Sequence, residues 1–325
     1  MKELNNLSFE ELSKLRTRIL FNLGTYHLWR DDFQTGLRLF LFKGEELDYW
    51  KKVKLPFTFW KGGIMPGRTI ILHAEAGIGD EFINIRFMKH LRDLGMKPVW
   101  LTDRNKDLCA LYKRSGFDVI TDKRELTKID NPLWTHPMSL PVYLDLQYKD
   151  LWYGPYLTPI VTNKLPNNKL KIGIRWQGNP EYDHDLHRSV PLKEIYGAVK
   201  HIDADFYSLQ KDTGLEEMAD FPGLIDMNHS MKTFDDTLSL MNELDLVIST
   251  CTSVLHGAAA MGKKVYALIP ISAYYTWSHS TKQSPWYGEN VTIFRQTAPR
   301  VWHEPLEELK NRISELTNSN KTNIE

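Results

Sequence analysis

Two stretches of this 325-residue chain gather the residue types that handle anions and protons. In the first, Leu246-Val247-Ile248 reads as a buried strand and runs into a polar hinge, Ser249 to Ser253. The spacing predicts a helix of small residues from His256 to Met261, stopped by Gly262 with two lysines behind it. Val265 to Ile269 is a second apolar strand, so the whole is one βαβ unit. A helix N-terminus carries about half a positive charge and several unpaired donors, which suits a phosphate. Ser and Thr at that point are equally what an ordinary N-cap uses. In the second stretch the strand Thr69–His73 meets the turn Ala74-Glu75-Ala76-Gly77-Ile78-Gly79-Asp80, and a helix is expected from Glu81 to Leu94. Glycine there lets a ligand approach backbone. GxGxxG is absent and no GK[ST] follows, so neither a dinucleotide fingerprint nor a P-loop is present. The turn offers an acid, Asp80, at the helix start. It can cap the helix or take a proton, and the residues alone leave both open.

The elements that must position these stretches alternate in two sets. Residues 8 to 50 read as two helices, and Thr17 to Trp50 resembles one tetratricopeptide repeat, with Leu23-Gly24 in one helix and Gly36 and Phe40 in the other. A single repeat cannot bury its own faces, so it is a remnant docked on the next domain, a partner-binding stub or a plain hairpin. Strands at Val99–Thr102 and Phe117–Thr121 flank a helix at Lys106–Ser115, and His136 to Pro141 is a turn. Gly154 to Leu157 and Lys164 to Lys169 mark a linker. Beyond it come the strand Leu170–Trp176, a loop from Gln177 through Asp183 and Arg188, and a helix with Pro191 at N1. A strand at Phe206–Leu209, a helix at Thr233–Asn242, a strand at Val291–Phe294 and a helix at Pro305–Leu316 complete the set, with a frayed tail from Thr317. The expected division is 1–58 helical, 59–163 and 164–303 doubly wound α/β, and 304–325 a closing helix and tail. Ligands bind outside the carboxyl ends of such strands. The loops after Ile71, Ile174, Leu209 and Ile248 therefore converge on one cleft.

Composition narrows the partners. The 41 basic and 41 acidic residues cancel, so net charge does not favour DNA, although a local groove involving Arg86, Lys89, Arg92, Arg104 and Lys106 stays open. Cys109 and Cys251 are too few for a disulfide framework or a zinc cluster. No apolar run approaches the roughly 20 residues that span a bilayer, and no leader is visible, so a cytoplasmic protein without membrane contact is expected.

Together these segments resemble glycosyltransferases of the GT-B fold, in particular the heptosyltransferase-like domains found behind tetratricopeptide repeats in bacterial and phage proteins. The resemblance runs through Ala76 to Asp80, His136 to Pro141, Gly154 to Leu157, Ile172 to Asn179, Arg188 to Leu192, Ser208 to Gln210, Asp245 to Gly262, Ser284 to Tyr287 and Phe294 to Gln296, in family order. It implies an acceptor domain followed by a donor domain, and sugar transfer from a nucleotide diphosphate sugar to an acceptor hydroxyl with inversion. It implies no cofactor and no metal, in spite of the cluster His184, Asp185 and His187. By the same resemblance Asp80 is the general base, and Gln177, Asn179 and Arg188 meet donor phosphates. Gln210 and Lys211 touch base or phosphates, and Thr252, Ser253 and His256 face phosphate and ribose. Gly79, His136, Trp277 and Trp286 are placed as acceptor or sugar platforms, the two tryptophans being open to a core role as well. One departure stands out: the acid that precedes the Thr in the family is Cys251 here. The acceptor is expected to be a protein, a glycan or a hydroxymethylated base in phage DNA. A nucleotide-sugar epimerase or hydrolase, or a catalytically weak tetratricopeptide-type binding protein, are the competing readings.

Overall fold

A computed structural model describes residues 9–42, 54–162, 164–166, 169–182, 184–211, 213–279 and 281–322. Asp183, two linker asparagines and the end of the expected repeat to Trp50 lie outside the described residues. The strands are β1 Thr58–Phe59, β2 Thr69–His73, β3 Lys97–Leu101, β4 Val119–Ile120, β5 Leu133–Thr135, β6 Leu170–Arg175, β7 Ala204–Ser208, β8 Leu246–Thr250, β9 Val265–Ile269, β10 Gln283–Ser284 and β11 Gly288–Arg295. They form two sheets, in the orders β1-β5-β2-β3-β4 and β10-β11-β9-β8-β6-β7. Pairing is parallel except between β10 and β11, with Ile71 opposite Val99 in the first sheet and Ile174 opposite Ile248 in the second.

Runs such as TIILH and LVIST become central strands because both faces of a helix-covered parallel sheet are buried. Ile70 and Leu72 enter one core while Ile71 enters another on the opposite face. The first of these cores continues into the second sheet through Val247, Leu255, Ala258 and Val265. Chain order reverses between β2 and β5 in one sheet and between β6 and β8 in the other. Each reversal opens a crevice at the carboxyl ends of the strands, where open α/β sheets bind ligands.

Several local expectations change. The helix expected over Glu81–Leu94 is two helices, Ile78–Asn84 and Phe87–Asp93. The interruption has a cause in side chains. Arg86 Nε donates to the Ile83 carbonyl and the Tyr156 hydroxyl to that of Phe82, which are acceptors an unbroken helix would use itself. Arg86 is fully buried, so it cannot belong to a basic groove, while Lys89 and Arg92 pair with Asp93 and Asp118. Gly77, not Asp80, is the N-cap of the first of these helices. Pro191 likewise precedes its helix as N-cap, and a short helix, Asp185–Arg188, forms within the loop before it. The helix expected from His256 begins at Ser253 and ends at Ala260. His136–Pro141 holds a 3-10 turn and the start of a one-turn helix, and β1 and β5 are strands the pattern did not show. The closing helix runs from His303 to Thr322, so the segment expected to fray from Thr317 is helical that far.

The N-terminal helices Phe9–Trp29 and Phe33–Phe40 form a close hairpin. A Cβ on Gly24 would lie 2.5 Å from the Phe40 amide nitrogen, and one on Gly36 2.7 Å from Leu28 Cγ. The hairpin is docked on the rest of the fold. Phe33 and Phe40 pack on Trp286 and Tyr275 at ring separations of 5.9 and 4.9 Å, and Trp29 Nε1 donates to the Ala273 carbonyl at 3.2 Å.

Candidate active site

The crevices of the two sheets open into one cleft of about 1220 Å³. On its second-sheet side the helix Ser253–Ala260 points its N-terminus inward. Thr252 is in the N-cap position with extended backbone but makes no side-chain cap bond; its hydroxyl lies 3.3 Å from that of Ser249. The first-turn N–H groups are thus not satisfied by the residue best placed to do so, which leaves the terminus suited to an anion.

Arg188 lies beside this terminus. Nη1 donates to the Cys251 carbonyl at 2.8 Å, Nε to Asp185 Oδ1 at 2.8 Å, and the guanidinium carbon sits 4.7 Å from the Tyr182 ring centre. Asp185 therefore binds Arg188 without withdrawing it from the cleft, which Arg188 lines. Gly178 makes this possible, because a Cβ there would collide with Arg188 Nη2 and Asp185 Oδ1. Arg175 and Lys211 also line the cleft, Arg175 donating to the Leu209 carbonyl at 3.1 Å and Lys211 to that of Lys232 at 3.1 Å. Asn179 is there too, its side-chain oxygen accepting from the Glu181 amide at 3.0 Å. His184 and His187 line the same loop, in which Asp185 binds Arg188 and the Ser189 hydroxyl. Among the described residues no group of three or more His, Cys, Asp or Glu side chains could hold a metal ion.

Asp80 faces this array from the first sheet. Its Oδ2 accepts from the Gly77 amide at 3.0 Å and its Oδ1 from the Tyr274 hydroxyl at 2.6 Å. Burial and the neighbouring Asp80 carboxylate hold the Tyr274 phenol well above its ordinary pKa, so it remains a donor. Ala76, two residues before the helix, has φ +59°, a left-handed conformation that costs a non-glycine residue about 1–3 kcal/mol. Gly79 is where the two sides touch: a Cβ there would stand 3.3 Å from His256 Cδ2 and 3.4 Å from Ser253 Cα.

His256 stacks on Trp277 with ring centres 5.3 Å apart at 18°, and its Nδ1 lies 2.9 Å from the Tyr287 hydroxyl. Burial, with the positive charges of Arg86 and Arg188, pushes its pKa down to about 3, so the imidazole is neutral. Cys251 finds a place here. Its sulfur lies 3.1 Å from Trp277 Nε1, its carbonyl holds Arg188, and burial raises the thiol's pKa, leaving it a neutral packing and hydrogen-bonding group.

Of the residues singled out in the sequence, Gly79, Asp80, Asn179, Arg188, Lys211, Thr252, Ser253 and His256 line the cleft. Gln177 and Gln210 do not: the fully buried Gln210 amide accepts from the Gln177 N–H at 3.2 Å and donates to the Thr213 carbonyl at 2.6 Å, bracing the loop. Trp277 and Trp286 are buried outside the lining, Trp286 against Arg86 and Phe33. His136 is buried between Trp134 and Phe59, with its pKa lowered to about 3 by desolvation first and by His73 second. Arg175, Tyr182 and Tyr274 were not foreseen as site residues. Arg175 alone left a sequence signal, as a cation at the end of the apolar run LKIGIRW.

No family model and no curated protein matches the sequence. Solved structures do match in shape. The chain is similar to a glycosyl transferase family 9 protein from Veillonella parvula, at 11% identity and TM-score 0.50 over 73% of this chain and 88% of that one. It is equally similar to the ADP-heptose lipopolysaccharide heptosyltransferase II of E. coli, at 12% identity and TM-score 0.50 over 77% and 98%. At such identity the likeness speaks for the fold. The chain has the GT-B architecture, two Rossmann-like parallel sheets flanking a cleft, with a short helical pair at its N-terminus.

Proposed function

We propose that the protein is a glycosyltransferase that moves a sugar from a nucleotide diphosphate sugar to an acceptor hydroxyl, by direct displacement and without a metal. The observation that carries this is the opposition of Asp80, on the first sheet, to Arg188 and the Ser253 helix terminus, on the second. Asp80 would take the proton of the attacking hydroxyl as the new C–O bond forms at the anomeric carbon and the bond to the diphosphate breaks. General-base assistance of this kind contributes roughly 10²–10⁴ in rate. A carboxylate has about four acceptor sites, so holding Gly77 and Tyr274 is compatible with receiving a proton. The departing diphosphate gains negative charge. Arg188 would meet it with charge-assisted bonds and the helix terminus with backbone N–H groups, in a site already organised before reaction. The heptosyltransferase with the same architecture is described as using ADP-heptose, which supports a nucleotide diphosphate sugar as donor.

The test is incubation with a panel of UDP-, GDP- and ADP-sugars, following nucleotide release with and without acceptor extract. Release that depends on acceptor and is abolished in Asp80→Asn is the expected result. Turnover of the donor without any acceptor, to an epimer or free sugar, would favour a different enzyme on the same fold. Absence of turnover together with absence of nucleotide binding would overturn the reading.

A further inference from the structure

The cleft divides by charge. Its charged side chains are Asp80, Arg175, Glu181, Arg188 and Lys211, with His184 and His187 beside them, and all lie outside the N-terminal hairpin, on strand ends and on the helices and loops that follow them. The wall given by the N-terminal helix is different: Phe21, Asn22, Thr25, Tyr26 and Trp29 carry aromatic faces, an amide and hydroxyls but no formal charge. Trp29 is held by its indole bond to the Ala273 carbonyl and by the His279 ring 5.1 Å away, so the wall has a fixed face. Tyr26 is 50% exposed, a large ring kept in water where the hairpin has core to bury it in. Arg30 lies over that ring at 5.9 Å but does not line the cleft. Beside the wall stand Tyr274, bonded to Asp80, and Tyr275, on which Phe40 of the hairpin packs.

We infer that this hairpin wall is the acceptor subsite and that it takes a neutral saccharide. The inference rests on the glycosyl-transfer reading for its position, since the wall lines the same cleft as Asp80 and bonds through Trp29 to Ala273, next to the Tyr274 that holds Asp80. The chemistry of the ligand follows from the wall itself. A sugar ring offers a C–H face that packs on an aromatic face and an edge of hydroxyls that bonds to amide and hydroxyl groups; aromatic residues with one polar end serve such half-wet contacts. A nucleic-acid acceptor needs Lys and Arg to neutralise phosphates, and this wall supplies none. The hairpin is therefore part of the site and not an appended partner-binding module.

The experiment probes the two halves separately. Thermal shift with ADP, UDP and GDP reads the donor half. Binding to immobilised neutral oligosaccharides reads the wall, with sulfated saccharides, duplex DNA and unmodified peptides as parallel arms. The exposed positions give variants that keep the core intact, Tyr26→Ala and Asn22→Ala. The expected result is retention of neutral oligosaccharides, weakened tenfold or more in Tyr26→Ala, with the nucleotide shift unchanged in both variants. Neutral saccharide binding that persists undiminished in both variants, or preference for any of the other arms, or no saccharide binding by a protein that binds nucleotide, overturns the inference and leaves the glycosyl-transfer reading standing. Saccharide binding that depends on Tyr26 in a protein that binds no nucleotide upholds the wall and sinks that reading.

Discussion

The Tyr274 hydroxyl donates to Asp80 Oδ1 at 2.6 Å, and with that bond a loop following β9 of the second sheet fixes a carboxylate carried by the first. The acid is therefore positioned from both sides of the cleft, by Gly77 locally and by Tyr274 across the gap. Hydrogen bonds to charged groups contribute about 1.5–3 kcal/mol. A double-mutant cycle of Asp80→Ala and Tyr274→Phe should show a coupling of about 1–3 kcal/mol in unfolding free energy, within the span found for residues in direct contact. Additive losses would mean that the bond does not form in solution.

Arg188 should be irreplaceable by lysine. Its fork holds the Cys251 carbonyl and Asp185 at once, and an ammonium cannot reproduce that geometry. Arg188→Ala and Arg188→Lys should each weaken nucleotide diphosphate binding by roughly 30-fold or more, the loss of about 2 kcal/mol expected when one partner of a buried charge-assisted contact is removed. Calorimetric titration with ADP, UDP or GDP decides this. Equal affinity in wild type and Arg188→Lys would show that only the charge matters.

Gly178→Ala separates binding from stability. The added methyl meets the far end of the Arg188 side chain, which can swing away, and the buried Asp185 Oδ1, which has less room to move, so the cost to folding should lie near the lower end of the about 1–3 kcal/mol of overpacking. The guanidinium would nevertheless leave its place at the cleft. Nucleotide affinity should fall as in Arg188→Ala while the melting temperature drops by only a few degrees. A melting temperature lowered as much as in a core variant, with affinity retained, would show that the loop and not Arg188 absorbs the clash.

These relations also show what the sequence could and could not disclose. Strands such as TIILH, LVIST and VYALI are legible because burial on both faces demands continuous apolar runs. Asp80, Arg188 and the Thr252–Ser253 terminus are legible because each lies just past a strand end or at a helix start, where topology alone brings loops together. What escaped was decided by partners distant in sequence. Arg86 breaks its helix through carbonyls and rings supplied by residues 151, 156, 286 and 287. The Gln210 side chain is committed to the Gln177 backbone, and Trp277 to Cys251 and His256. Tyr274 is one aromatic among fourteen tyrosines, and only the packing of the two sheets brings it to Asp80.

Acid should weaken the fold through His256 and His136. Both have pKa values near 3 in the folded protein against about 6.5 when unfolded. Above pH 6.5 neither state holds the proton and stability is unaffected by these groups. Between pH 6.5 and 3 the unfolded chain binds protons that the folded chain excludes, so stability falls with pH by about 1.4 kcal/mol per unit for each histidine. His256→Gln should flatten the stability–pH slope in that window by about one proton, measured by denaturant unfolding at pH 4.5, 5.5 and 7. An unchanged slope would mean that His256 is protonated in the folded state.

The hairpin should be sensitive to a single methyl at Gly24. Unlike the Gly178 case, the atoms a Cβ would meet are backbone: the Phe40 nitrogen at 2.5 Å, the Gly36 oxygen at 2.8 Å and the Leu39 carbonyl carbon at 2.9 Å. Backbone cannot swing aside, so the helices must separate, and overpacking of this sort costs about 1–3 kcal/mol. Separation would also shift Tyr26 and Trp29 relative to Tyr274 and Tyr275, because the same helix carries both Gly24 and the cleft wall. Gly24→Ala should therefore lower the melting temperature and weaken acceptor binding, while a stability-matched core variant on the far face of the second sheet, such as Ile313→Val, should leave acceptor binding intact. If both variants lose acceptor binding equally, the effect belongs to global loosening and the hairpin has no separate part in the site.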